Sequence, residues 1–538
     1  STTNAPINLG TAGNITLTGN CTLSSGSGAI TLFDIPGPAN FNLVLSGSGT
    51  NTLGVVNLGS GTLDLSGLTG GTTTVNGGLT AQALSTPAAA VNLAFNTGAG
   101  GQSSTITNAV TFNNTGTLTL GNAAGDSITF TGGVVATAPS SKSIGGTVAA
   151  SGAGVINFGT TGSTITADGT IGGTSTGQIT LAGVTINDGV TLTLGAGAAS
   201  PVSAGAIQGV AGGAASNITI NVADDVANPM VQIASIGTDI GTVTVTQSSG
   251  VTVTGTVNAG TVTLTDTRDG QTIDFQGAVT ATSLTTTGQG YNVRFRNGGS
   301  ITNAVTFSNT GSLTIDAGFT FTGGVVATAP SSKSIGGTVA ASGAGVINFG
   351  TTGSTITADG TIGGTSTGQI TLAGVTINDG VTLTLGAGAA SPVSAGAIQG
   401  VAGGAASNIT INVADDVANP MVQIASIGTD IGTVTVTQSS GVTVTGTVNA
   451  GTVTLTDTRD GQTIDFQGGV TIGTLNTAAQ GYNVAFNTGA GGQSSTITNT
   501  VTFNNTGTLT LGNAAGDSIT FTGGVVATAP SSKSIGGT

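Results

Sequence analysis

Residues 241–279 read GTVTVTQSSGVTVTGTVNAGTVTLTDTRDGQTIDFQGAV. Four times in succession a glycine leads four to six residues of strict apolar/polar alternation, and each run closes on a polar turn. A period of two sends successive side chains to opposite faces of an extended backbone. Each run therefore predicts a short strand with Val, Ile or Leu buried on one face and Thr exposed on the other. The turns carry Gly, Asn, Ser and Asp, residues that accept left-handed backbone or bond to it locally.

The rest of the chain has the same texture. Of 538 residues 95 are Gly, and only 5% are charged against about 25% in ordinary soluble domains. Disorder would fit the low charge only with low hydrophobicity. Here 37% of residues are apolar and the mean hydropathy is +0.35, so there are faces to bury. There are 21 Asp and no Glu, three Lys, four Arg, and neither His nor Trp. Strong helix formers other than Ala and Leu are scarce, while β-branched residues abound, which points to an all-β chain. The net charge of −14 excludes a phosphate-binding surface and so nucleic acid as a partner. It also opposes docking on anionic lipid. No apolar run reaches the roughly 20 residues of a membrane helix, so no membrane insertion is expected. Cys21 is the single cysteine, so no intrachain disulfide forms. The chain begins at Ser1 without a charged and apolar leader. This predicts either that a signal peptide has been removed or that the chain is a segment of a larger product.

The chain repeats itself at long range. Residues 129–277 and 320–468 are identical over 149 positions, and 94–147 match 485–538 except for Ala109 against Thr500. The chain divides into an N-terminal solenoid region 1–128 (repeating from about 94), a unit 129–319, a unit 320–520, and the start of a third at 521–538. The copies differ in length at two places. FNTGAGGQSSTITNTVTF (486–503) is five residues longer than FRNGGSITNAVTF (295–307), and FNNTGTLTLGNAAGDSITF (503–521) is four longer than FSNTGSLTIDAGFTF (307–321). Both differences lie in turn-forming residues on a preserved strand frame, as in solenoids. The alternative, a string of tandem β-sandwich domains, would carry more aromatic core and interdomain linkers. Phe95, Phe112 and Phe130 recur at intervals of 17 and 18 and predict a stacked interior ladder, with coils of roughly 17–25 residues and about 22–30 coils in all.

Candidate chemistry is sparse. Without His there is no imidazole base, and without Glu or further Cys most zinc sites are excluded. Neighbouring aspartates could act as a glycosidase pair, and Asp224/Asp225 with their copies Asp415/Asp416 are the candidates. They sit where alternation breaks, which favours a surface loop and no enzyme. Calcium is the better chemical reading. Asp266, Asp269 and Asp274 surround the turn glycine Gly270, and the copy supplies Asp457, Asp460 and Asp465. Against it stands a solvated Asp-Gly turn, with Arg268 neutralising the cluster. No other cofactor is implied. Tyr291, Arg294 and Arg296 form one basic–aromatic cluster, whose sister copy loses both arginines. Lys142, Lys333 and Lys533 all lie in the thrice-repeated GGVVATAPSSKSIGGT (132–147, 323–338, 523–538). This predicts one cationic loop per unit, available to dock on the Asp-rich loops of a neighbouring copy.

The strings ITNAVTFNNTGTLTLGNAAGDSITF (106–130) and GVTINDGVTLTLGAGAA (183–199) resemble the passenger regions of rickettsial outer-membrane surface antigens and, more loosely, other autotransporter and filamentous adhesins. The resemblance is one of composition and rhythm over nearly the whole chain. It implies an exported, elongated, right-handed parallel β-helix at the bacterial cell surface, with no catalytic residues to carry over. It departs from that pattern in lacking a C-terminal β-barrel. Taken together, the expectation is an extracellular structural protein, a repetitive β-solenoid whose partner is itself in a filament, sheath or surface layer. The alternative is an adhesin stalk that presents a binding tip to receptors on host cells or other surfaces. Neither end has the charged residues that cap a free-standing stalk, which favours assembly or a longer parent chain.

Overall fold

A computed structural model describes residues 1–10, 12–224, 230–415 and 421–538. Among these residues the chain is all strand and turn with no helix, and its parallel strands stack as about 24 turns of a β-solenoid. Parallel pairing rules out the antiparallel sandwich alternative. The chain falls into two compact units, Ser1–Gly277 and Ala278–Thr538. The first identical repeat lies wholly in one and the second wholly in the other.

In the first unit a typical coil has three strands, Thr117–Leu120, Ser127–Phe130 and Val134–Val135. Each pairs in register with its counterpart one turn on, Ser141–Gly145, Thr147–Ala150 and Ile156–Phe158. Alternation makes this work. In Thr117–Leu120 the two leucines are buried and Thr117 is exposed. Stacking then builds apolar columns such as Phe95, Leu120, Ile144, Ile165 and Ile186. Beside them runs an outward column of Thr119, Ser143, Thr164 and Thr185. The first coils add a smaller sheet of Cys21–Ser24, Leu43–Gly47, Thr62–Leu68 and Ala83–Ser85, in which the free Cys21 is half-buried. The second unit repeats the plan, with Phe319 over Val339 and Val339 over Ile362.

Coil length varies because the loops do. In-register partners lie from 19 residues apart, Thr242 and Thr261, to 29 apart, Val202 and Val231. The phenylalanine interval of 17–18 is therefore not a coil. Phe95, Phe112 and Phe130 come from different sides of the coil and meet in the interior. Their ring centroids are 5.9 Å apart for each successive pair, at interplanar angles of 62° and 89°. They form an edge-to-face cluster, the arrangement that ring quadrupoles prefer, and not a stacked ladder.

The quoted stretch folds as Ile240–Gln247, Val251–Val253, Val257–Leu264 and Thr272–Phe275. One boundary differs from the reading above. Gly260, expected to open a strand, lies inside Val257–Leu264. A Cβ there would stand 2.7 Å from the carbonyl oxygen of Gly241 on the preceding coil. Glycine is required at this position by the close approach of two backbones, and the strand continues through it.

Candidate functional site

The acidic turns are the first candidate. Asp266 and Asp269 occupy the loop between Val257–Leu264 and Thr272–Phe275, whereas Asp274 is on the latter strand, in register with Thr252. Asp274 is nearly buried, and its Oδ2 accepts the side-chain amide of Gln276 at 3.1 Å. The partner that folding brings to Asp266 is Asp224. Burial, then the charges of Asp224 and Asp269, raise the pKa of Asp266 above the usual carboxylate value. The copy repeats this with Asp457 raised by burial, Asp415 and Asp460. Asp460 also accepts the Gly481 N–H at 3.0 Å, and Asp465 accepts Thr488 Oγ1 and Gln467 Nε2. Each calcium triad is thus split between a turn pair and a strand residue. Among the described residues no three His, Cys, Asp or Glu side chains are grouped to hold a metal ion. Asp225 and Asp416, the second members of the proposed glycosidase pairs, lie outside the described residues.

The lysines are the second candidate, and here the structure corrects the sequence reading. Lys142 and Lys333 are not on surface loops. They lie in the strands Ser141–Gly145 and Ser332–Gly336 with their side chains inward, each only 2% exposed. A neighbouring molecule cannot reach them. Lys142 occupies an interior column whose other members in register are Leu93, Leu118, Ser163 and Val184. Its Nζ donates to Thr161 Oγ1, and that hydroxyl donates to the carbonyl of Pro139 at 2.7 Å. Lys333, Thr352 and Pro330 repeat the arrangement. Burial pushes the Lys142 ammonium down to about 8 and lowers Lys333 as well. Ser163 faces Lys142 across the register but its Oγ is buried without a partner, so no Ser–Lys couple forms. Lys533 differs, being exposed in the strand Ser532–Ile535 with its Nζ on the carbonyl of Pro530 at 2.7 Å.

The basic–aromatic cluster is also taken apart. Tyr291 is fully buried, while Arg294 faces outward and pairs through Nε with Asp316 Oδ2 at 2.6 Å. Open surface grooves are small and mixed in polarity. One of about 390 Å³ in the first unit is lined by Thr147, Asp168, Thr170, Thr191 and Thr193, and Asp168 Oδ1 already accepts the Thr191 N–H at 2.7 Å.

Sequence reasoning passed over two groups that organise the coils. Asn114 is fully buried, and its Nδ2 donates to the carbonyls of Val91, one coil back, and Thr117. Asn309 and Asn505 do the same to Tyr291 and Ser312 and to Tyr482 and Thr508. The signal was the asparagine two residues after each of Phe112, Phe307 and Phe503, which periodicity alone treats as a turn residue. The second group is Asp126 and its copy Asp517, both buried and both accepting several backbone N–H groups.

No family model, no curated protein and no solved structure matches the chain.

Proposed function

We propose that this chain is a structural protein of the bacterial cell exterior, a repetitive solenoid that assembles with copies of itself into a filament, sheath or surface layer. One observation supports this reading above the others. Residues 129–277 and 320–468, identical in sequence, build the same coils. Ile179, Val202 and Val231 stack in register in one unit, as Ile370, Val393 and Val422 do in the other. Each repeat builds the same core again and, among the described residues, brings no new group of reactive side chains. Selection that tolerates whole-unit copying in this way acts on length. The composition agrees with it. In parallel stacking, like charges would recur about every 4.8 Å, and a chain with 5% charged residues avoids that repulsion.

Electron microscopy of the purified protein, with and without calcium, tests the proposal. Ordered fibres or lattices are the expected result. Monodisperse single particles under both conditions would overturn self-assembly and leave the adhesin stalk as the reading to pursue.

A further inference from the structure

A solenoid of alternating strands has a register problem. Sliding one strand by two residues over its neighbour keeps every inward side chain inward, because the side-chain period is two. Ile144 over Ile165, or Leu120 over Ile144, distinguishes the correct register from its neighbour only weakly. Lys142 is different. It is a cation stacked between Leu118 and Ser163 in an interior column, 2% exposed, and the acceptor of its Nζ is a single hydroxyl on the next coil. That hydroxyl is itself held, since Thr161 Oγ1 donates to Pro139 O at 2.7 Å. A two-residue slip that pairs Ser141 with Thr164 carries Thr161 about 6.6 Å along the strand and sets Lys142 against Ile165 in place of Ser163. The ammonium would then lie in the core without its acceptor, which is far more costly than an imperfect apolar contact.

We infer that Lys142, with Thr161 and Pro139, is a register lock between successive coils, and that Lys333, with Thr352 and Pro330, is the same lock in the second unit. Lys533 supplies an independent observation. In the third copy of the phrase its Nζ bonds directly to Pro530 O at 2.7 Å, the counterpart of the carbonyl that Thr161 occupies. The lysine reads whether the following coil is seated in the correct register. The lowered pKa of Lys142 agrees with a group that costs stability and is retained for specificity.

Disulfide trapping in the full chain tests this, in a Cys21→Ser background, after refolding from denaturant under reducing conditions. Ser143 and Thr164 are outward neighbours in register. Cysteines placed there lie within the span of a disulfide, whereas Ser141→Cys with Thr164→Cys would be about 8 Å apart, too far unless the strand has slipped. With Lys142 present, only the first pair should crosslink. Lys142→Met should raise the yield of the Ser141/Thr164 crosslink about tenfold, since one charge-assisted hydrogen bond no longer separates the registers. Thr161→Val, which keeps the lysine and removes its acceptor, should do the same. An unchanged off-register yield in the variants that refold would overturn the lock. So would failure of both to refold, because a device that only selects register leaves the slipped coil folded.

Discussion

Asp126 Oδ1 accepts the backbone N–H of Gln102, on the preceding coil, at 2.8 Å. The other oxygen, Oδ2, accepts the N–H groups of Asn122 and Ala123 in its own loop at 2.9 and 3.0 Å. One carboxylate thus ties together the two loops, 96–102 and 121–126, in which the long repeat exceeds the short one. Asn122 Nδ2 adds a bond to Thr97 O at 2.8 Å. Asn96 opens the first loop in a left-handed conformation, φ 54°, and its side chain donates to Gln102 O and Ser127 O. Two insertions that look separate along the chain are one structural object. Where both are missing, Arg294 stands in place of Ala94 and Asp316 in place of Gly121, and their ion pair joins the same two coils.

Asp126→Ala should destabilise both loops together, by about 1–3 kcal/mol, because three N–H groups lose a charged acceptor. Hydrogen exchange should show faster amides at Gln102, Asn122 and Ala123 at once. Protection lost in only one loop would contradict their coupling.

The second copy adds a pH dependence. Backbone N–H groups, from Asn513 and Gln493 foremost, hold the Asp517 carboxyl below its usual value. A group whose pKa is lower in the folded state contributes stability that is present above its unfolded pKa and is lost as pH falls through the folded one. Exchange at Gln493 and Asn513 should stay slow at pH 5 and accelerate only below the ordinary carboxylate range. Acceleration already at pH 5 would disprove this.

Lys142 gives the opposite slope. Its pKa falls from 10.5 to about 8 on folding, so between those values the unfolded chain holds a proton that the folded chain does not. Stability should rise as pH increases from about 8 to 10.5 and be level below that window. Replacing both interior lysines with Met should stabilise the chain at pH 7, on the order of 1–3 kcal/mol, and abolish the rise. Urea midpoints at pH 7, 9 and 10.5 provide the measurement, and a midpoint that falls over this range in the parent chain would refute the assignment.

Asn114→Ala removes two hydrogen bonds, a buried one to the Val91 carbonyl and a partly buried one to the Thr117 carbonyl. The expected loss is about 1–3 kcal/mol in urea unfolding. Arg294→Ala serves as the contrast. Its ion pair is about one-third exposed on both sides, so the loss should be below about 1 kcal/mol and should vanish in high salt. Equal losses at the two sites would show that burial does not set their ranking.

Much of this was legible from residues alone. The alternation in 241–279 determined strands with one apolar face, because a period of two is a local property of extended backbone. The identical repeats and the length differences confined to turns pointed to a solenoid, because stacked coils tolerate such copying, and parallel pairing then excluded tandem sandwiches. What stacks upon what was decided by the tertiary structure. Coil length is the sum of variable loops, so the phenylalanine spacing did not report it, and Phe95, Phe112 and Phe130 converge from different sides. The same indeterminacy hid Asp224 beside Asp266, and Gln102 beneath Asp126. Lysine is ordinarily a surface residue, and nothing near Lys142 in sequence says otherwise. It is interior because the register sets it between Leu118 and Ser163, with the hydroxyl of Thr161, nineteen residues on, as its acceptor.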